Sequence, residues 1–252
     1  MVEHNLEFHK IIRLLPMRFF TMGHANRNEF IKILLNQFYF TFNQSILILI
    51  SLGGLVGLAF SVQAGFGAMI LGSDQQIGSI LVFIIWRELA PLATILLLIA
   101  RSVTAVASEI STMKVGSEID ALNVLGINTF DYLWGPRIIA AILSLFCMSI
   151  VFFVAASAGY WLGGNLISYF PISQLIRGFA KAISSWDVIF FILKTTIPGG
   201  LVFYLACRRA TSIGTSRHEV PIATNRAVVD ALFMSLIFQF IMSAIFYTTV
   251  GF

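Results

Sequence analysis

The chain has 252 residues, of which 58% are hydrophobic and only 11% charged, with a formal net charge of +4. Soluble domains carry roughly 25% charged and 45–50% apolar residues, so a mean hydropathy of +0.89 excludes a soluble protein and requires much of the surface to face lipid. Lys and Arg outnumber Asp and Glu by 16 to 12, but they flank apolar runs without aromatic interleaving, which points to membrane anchoring and topology and excludes a nucleic-acid partner.

In chain order, the first segment is not expected to be a signal peptide, because Glu3, Glu7, Lys10, Arg13, Arg18 and Arg27 precede any long apolar run. Ile11, Ile12, Leu14, Leu15, Phe19 and Phe20 alternate with Lys10, Arg13 and Arg18, and Phe30, Ile31, Ile33, Leu34 and Phe38 recur opposite Lys32, Asn36 and Gln37. That pattern predicts an interfacial amphipathic helical segment over 1–45, lying in the headgroup plane. A first span is predicted over 46–71, where the Gly53-x-x-x-Gly57 spacing lets another helix approach closely. A polar turn at 72–76 leads into a second span over 77–109. At 1.5 Å per residue this run is about 50 Å long against a hydrocarbon core of about 30 Å, so it must project, tilt or bend, and Pro91 offers a bend.

Residues 110–135 read as polar and irregular, and the third span covers 136–166. An amphipathic loop over 168–185 contains Pro171, Arg177 and Lys181, the fourth span runs 186–207, a polar loop reaches Asn225, and the fifth span runs 227–250. Lys and Arg concentrate before the first span, at Lys114 and Arg137, and around Arg208, Arg209, Arg217 and Arg226. This bias is expected to place the N-terminus in the cytoplasm and the C-terminus on the opposite side. No fixed-period repeat occurs, and five spans do not divide into the inverted halves of many secondary transporters. The expected architecture is an all-α membrane protein: a single domain over 1–252, with the interfacial segment at 1–45 and a five-helix bundle over 46–252, dimerising to enclose a path. Cys147 and Cys207 lie in apolar segments without metal spacing and read as fillers.

Ionisable side chains inside spans are costly and mark function by default. Arg87 and Glu88 fall about ten residues into the second span. They point about 100° apart, so they need not pair with each other. Either they belong to a structural ion-pair network, or they meet a lipid headgroup or switch between conformations. On an ideal helix Arg87, Arg101 and Glu109 share an arc of roughly 80°, and Asp187, Lys194, Asp230 and Gln239 are the candidate partners. Between the second and third spans, Ser117 with Glu118 and Asp120 reads as the capped, acidic N-terminus of a short helix. Ile119, Leu122, Val124 and Leu125 give it an apolar edge, and Gly126 ends it. It is either a connector or a plug for a groove on a partner protein. No phosphate-binding loop, metal-site or nucleophile motif is present, so any energy source lies in another chain.

The stretches Trp86-Arg87-Glu88-Leu89-Ala90-Pro91, Ala100-Arg101-Ser102, Ala107-Ser108-Glu109-Ile110, Met113-Lys114 and Glu118 to Ile127, with Pro136-Arg137 and Ala223 to Val229, resemble the MlaE/YrbE permease family over about 30–250. The resemblance implies the homodimeric membrane subunit, not itself an enzyme, of an ABC transporter in the bacterial inner membrane. Such a subunit moves phospholipid to or from the outer envelope and maintains outer-membrane lipid asymmetry. The implied partners are a second copy, a cytoplasmic ATPase dimer that holds ATP and Mg, a periplasmic MCE-domain protein and a small ATPase-associated subunit; the chain itself binds no cofactor. The resemblance also implies a lipid-cavity or charge-network role for Arg87, Glu88, Arg101 and Glu109. It makes the segment near 115–127 a coupling helix, with Lys114, Glu118, Asp120, Leu122 and Gly126 among its residues. An ion-coupled transporter using Glu88, Glu109 or Asp230 as a relay, and a membrane scaffold without transport, are the competing readings.

Overall fold

A computed structural model describes residues 24–71, 84–167, 172–214 and 216–250. Its helices are α1 (His24–Leu71), α2 (Ile85–Val115), α3 (Glu118–Val124), α4 (Gly135–Ile167), α5 (Ile172–Ala182), α6 (Ser185–Thr211) and α7 (Glu219–Val250), with no strand among the described residues. α1, α2, α4, α6 and α7 each contain a stretch long and apolar enough to cross a membrane.

The helix boundaries depart from expectation in several places. α1 runs unbroken for 48 residues, about 70 Å, so no break separates an interfacial segment ending at 45 from a span beginning at 46. Between Asn28 and Leu52 there is neither Gly nor Pro to interrupt the hydrogen-bond ladder. The apolar face at 30–38 is not wholly given to an interface either, because Phe30 is buried with its ring against Gly135 at the start of α4. The part of the expected amphipathic segment in 1–23, and the turn at 72–76, lie outside the described residues. α2 continues through 110–115, and α7 starts at Glu219 rather than 227, its Pro221 tolerated in the first turn where N–H groups have no helical acceptor. The expected loop at 168–185 contains a helix, α5.

The spans alternate in direction, and α2 sits at the centre. Its Ile95, Leu98, Ile99, Val103 and Ile110 are fully covered by Leu145, Met148 and Phe152 of α4, Val202 and Phe203 of α6, and Ala227 and Ala231 of α7. The Thr94 and Ser149 hydroxyls, 2.7 Å apart, tie α2 to α4 inside this core. α1 is held on the outside by α4 through glycine. A methyl group on Gly57 would stand 2.7 Å from the Tyr160 nitrogen, while one on Gly54 would meet nothing. The Gly53–Gly57 spacing thus serves the α1–α4 contact, with Gly159 of α4 seated against the Gly54 backbone.

Candidate functional site

At the end of the bundle where α6 begins and α7 finishes, four ionisable side chains from two helices converge. Arg87 Nε lies 2.6 Å from Asp187 Oδ1, and Lys194 Nζ lies 2.7 Å from Glu88 Oε2. The adjacent pair on α2 therefore reaches two different positions on α6, one turn or more apart, as the 100° step demands. Two of the candidate partners, Asp187 and Lys194, are the ones used. Both are almost fully buried.

The backbone shows why the cluster forms here. α2 opens with a π turn over Ile85–Leu89, in which the Ala90 N–H reaches back to Ile85 O. Pro91 follows and has no N–H to offer the carbonyl four residues earlier, that of Arg87. Lys194 fills that vacancy by donating to Arg87 O at 2.9 Å. The same device operates once more along α6. Pro198 leaves the Lys194 carbonyl without its helical donor, and the Gln239 amide of α7 donates to it at 3.2 Å. Two prolines thus turn backbone acceptors outward, and each accepts a side-chain donor from a neighbouring helix.

Ser243 of α7 completes the set. Lys194 Nζ donates to its hydroxyl oxygen at 2.7 Å, and the hydroxyl donates to Glu88 Oε2 at 2.8 Å. Tyr247 OH reaches Glu88 Oε1 at 3.5 Å. The Lys194 ammonium so has three acceptors for its three protons. The Arg87 guanidinium lies 4.4 Å from the centre of the Phe246 ring, and Trp86 stacks on Phe191 with centroids 4.1 Å apart. A cavity of about 20 Å³ lies against Arg87, Glu88, Asp187, Lys194 and Ser243, enough for about one water. The charges are spent on one another. The cluster is a network that ties α2, α6 and α7 together, with only the Glu88 carboxylate substantially open, its side chain one-third exposed. Ser243, Phe246 and Tyr247 carry no charge and escape a search for charged residues; the signal that finds the freed acceptors is a proline four residues after a charged side chain.

Arg87, Arg101 and Glu109 do not share a partner face. Arg101 sits in a second π turn, Ile99–Val103, and bonds the Gln44 carbonyl and side-chain oxygens on α1. Glu109 pairs with Arg137 of α4 at 2.6 Å. Each π turn takes up an extra residue, so the angles of an ideal helix do not carry across them. Asp230 bonds Arg209 of α6.

At the far end of α2 lies α3. It is shorter than the expected 115–127, spanning Glu118–Val124. Ser117 does not cap it through its side chain. It adopts φ 59°, because the chain turns from α2 into α3 within Gly116-Ser117, and its carbonyl still accepts the Ala121 N–H at 2.9 Å. Glu118 is exposed, whereas Asp120 takes the Lys114 ammonium at 2.8 and 3.1 Å. The apolar edge divides: Ile119 is buried in the core, Leu122 is half-buried, and Val124 and Leu125 are 88% and 74% exposed. Gly126, with φ 74°, closes the helix in a Schellman motif, its N–H on Asn123 O and the Ile127 N–H on Leu122 O, both at 3.0 Å.

The family model for the permease MlaE matches residues 34–245. The protein TRIGALACTOSYLDIACYLGLYCEROL 1, chloroplastic, of Arabidopsis thaliana is 29% identical over 78% of this chain, and the match spans 56% of the Arabidopsis protein. Probable ABC transporter permease proteins of Synechocystis and of Rickettsia prowazekii are 29% and 27% identical over 82% and 76% of this chain, and 79% and 74% of their own lengths.

Proposed function

Because the chain belongs to the MlaE permease family, we propose that it is the membrane subunit of an ATP-driven phospholipid transporter of a bacterial inner membrane. Two copies would enclose the lipid path. A cytoplasmic ATPase dimer would dock on α3, and a periplasmic MCE-domain protein would carry lipid to or from the outer envelope, sustaining its asymmetry. The N-terminus would face the cytoplasm and the C-terminus the periplasm.

The observation that carries this reading is the bare apolar tip of α3. Val124 and Leu125 stand in the open at the end of a helix fixed on both sides, by the Lys114–Asp120 pair and by the Gly126 turn. An exposed pair so held fits a socket on a partner rather than a slack connector. The opposite end of α2 carries the Arg87–Glu88 network, so one continuous helix joins the docking tip to the buried charges. Support for a two-copy path comes from α7, which leaves Phe233, Ile237 and Phe240 exposed. A groove of about 470 Å³ between α2 and α7, lined by Ala100, Thr104, Ser108, Thr224 and Asn225, lies beside the same helix. A proton relay is disfavoured, since Glu88, Glu109 and Asp230 each face a cation.

The test is co-purification. Leu125→Glu puts a charge on the tip without touching the core and is expected to abolish recovery of an ATPase with the tagged chain from mild detergent, while insertion is unchanged. Undiminished recovery of the ATPase with Leu125→Glu would sink the docking assignment. Bound phospholipid in the wild-type preparation, identified by mass spectrometry, tests the cargo.

A further inference from the structure

α5 has three distinct faces. Leu175 and Phe179 turn to the bundle, where Leu175 packs with Tyr160 and the Phe179 ring meets Phe153 edge-on at 5.1 Å. Ile172 and Ile176, one turn apart and about 40° apart around the axis, are 54% and 58% exposed. Ser173 and Arg177, about another 100° around, are exposed and polar. A helix in water has no use for the bare middle arc, and a helix in hydrocarbon would not carry Arg177 next to it. The first turns of α6 likewise leave Trp186, Ile189 and Leu193 exposed, on a helix long and apolar enough to cross a membrane.

We propose that α5 lies in the headgroup layer of the leaflet at this end of the bundle. Ile172 and Ile176 enter the acyl boundary there, Arg177 lies among the phosphates, and this seat holds the Arg87 charge in place. The connection is short. The Ile183 N–H donates to Phe179 O at 3.0 Å as α5 ends. The Ser184 N–H then donates to Asp187 Oδ2 at 2.7 Å, and Asp187 Oδ1 takes Arg87. One carboxylate therefore serves both as the cap of α6 and as the counter-ion of Arg87. A tilt of α5 moves Ser184, and through it the group that Arg87 holds. Asp187 and Ser184 are positioning residues in this scheme, and the lipid surface is the partner. The inference depends on the chain crossing a bilayer and is independent of what it transports.

Nitroxide labels report the depth. In the full-length chain with Cys147→Ala and Cys207→Ala, single labels at Ile172→Cys, Ile176→Cys and Arg177→Cys are reconstituted into vesicles of phosphatidylethanolamine and phosphatidylglycerol. The 172 and 176 labels are expected to be several-fold more accessible to oxygen than to a water-soluble nickel chelate, and the 177 label the reverse. Aqueous exposure at 172 and 176, or shielding from both reagents by a protein cover, overturns the proposal. The link to the charge cluster has its own readout in Ile172→Glu with Ile176→Glu. Amide exchange of residues 184–188 should accelerate several-fold while that of α4 stays constant. Equal exchange at 184–188 in the variant and the parent refutes the link.

Discussion

Replacing Lys194 by Met removes an ammonium with three acceptors and leaves a side chain of similar length in its place. The cost follows from what is stranded. Glu88 loses a charge-assisted bond worth about 1.5–3 kcal/mol, reduced because its side chain is one-third exposed and water can replace part of the interaction. Ser243 keeps Glu88 and the Gln239 carbonyl and costs little. The Arg87 carbonyl is left without the donor that Pro91 obliged it to find, an orphan acceptor worth about 1–3 kcal/mol. The expected loss is about 2–5 kcal/mol, read from reversible unfolding in mixed detergent micelles followed by circular dichroism. The decisive variant is Pro91→Ala, which restores an N–H to that carbonyl. Its effect should be more favourable by about 1–3 kcal/mol in the Lys194→Met background than in the wild type. If Pro91→Ala changes stability by the same amount in both backgrounds, within about 0.5 kcal/mol, the proline-freed carbonyl is not what holds Lys194.

Three further outcomes are expected. Gly57→Ala should destabilise by about 1–3 kcal/mol by forcing α1 off α4, whereas Gly54→Ala, whose methyl meets nothing, should stabilise by about 0.5–1 kcal/mol as an ordinary helical replacement; micellar unfolding of the two single variants measures the contrast. Gly126→Ala places a Cβ at φ 74° and should cost about 1–2 kcal/mol, seen as faster amide exchange confined to α3 and the turn after it. Arg209→Ala breaks a pair whose members are 49% and 34% exposed, and unfolding should register less than about 1 kcal/mol.

The five apolar stretches were legible because spans announce themselves by length and by the cost of charge in hydrocarbon. Their ends were less so. α1 hides its continuity because Lys32, Asn36 and Gln37 give 30–38 an interfacial pattern, while the burial of Phe30 against Gly135 depends on a residue more than a hundred positions away. The start of α7 was hidden by Pro221 and by the polar run to Arg226. At the candidate site, the identities of Arg87, Glu88, Asp187 and Lys194 could be read from their cost inside spans, but not who pairs with whom. That choice rests on the register between α2 and α6, on π turns that shift the helical face between Arg87 and Arg101, and on hydroxyls such as Ser243 that no charge count detects. The apolar edge of α3 was visible as a set, yet only packing decides that Ile119 faces the core and Leu125 does not.

The unbroken run of α2 from Arg87 to the Lys114–Asp120 pair has a thermodynamic corollary. A helix whose two ends report to different molecules makes their binding interdependent, and such interdependence is reciprocal. Under the proposed function, with an ATPase on α3 and a lipid at the Arg87 end, whatever factor the nucleotide-loaded ATPase imposed on lipid affinity, the lipid would impose equally on the grip of the ATPase. A loaded chain would therefore recruit its motor more tightly, or release it, by an amount that a titration of either partner alone can measure.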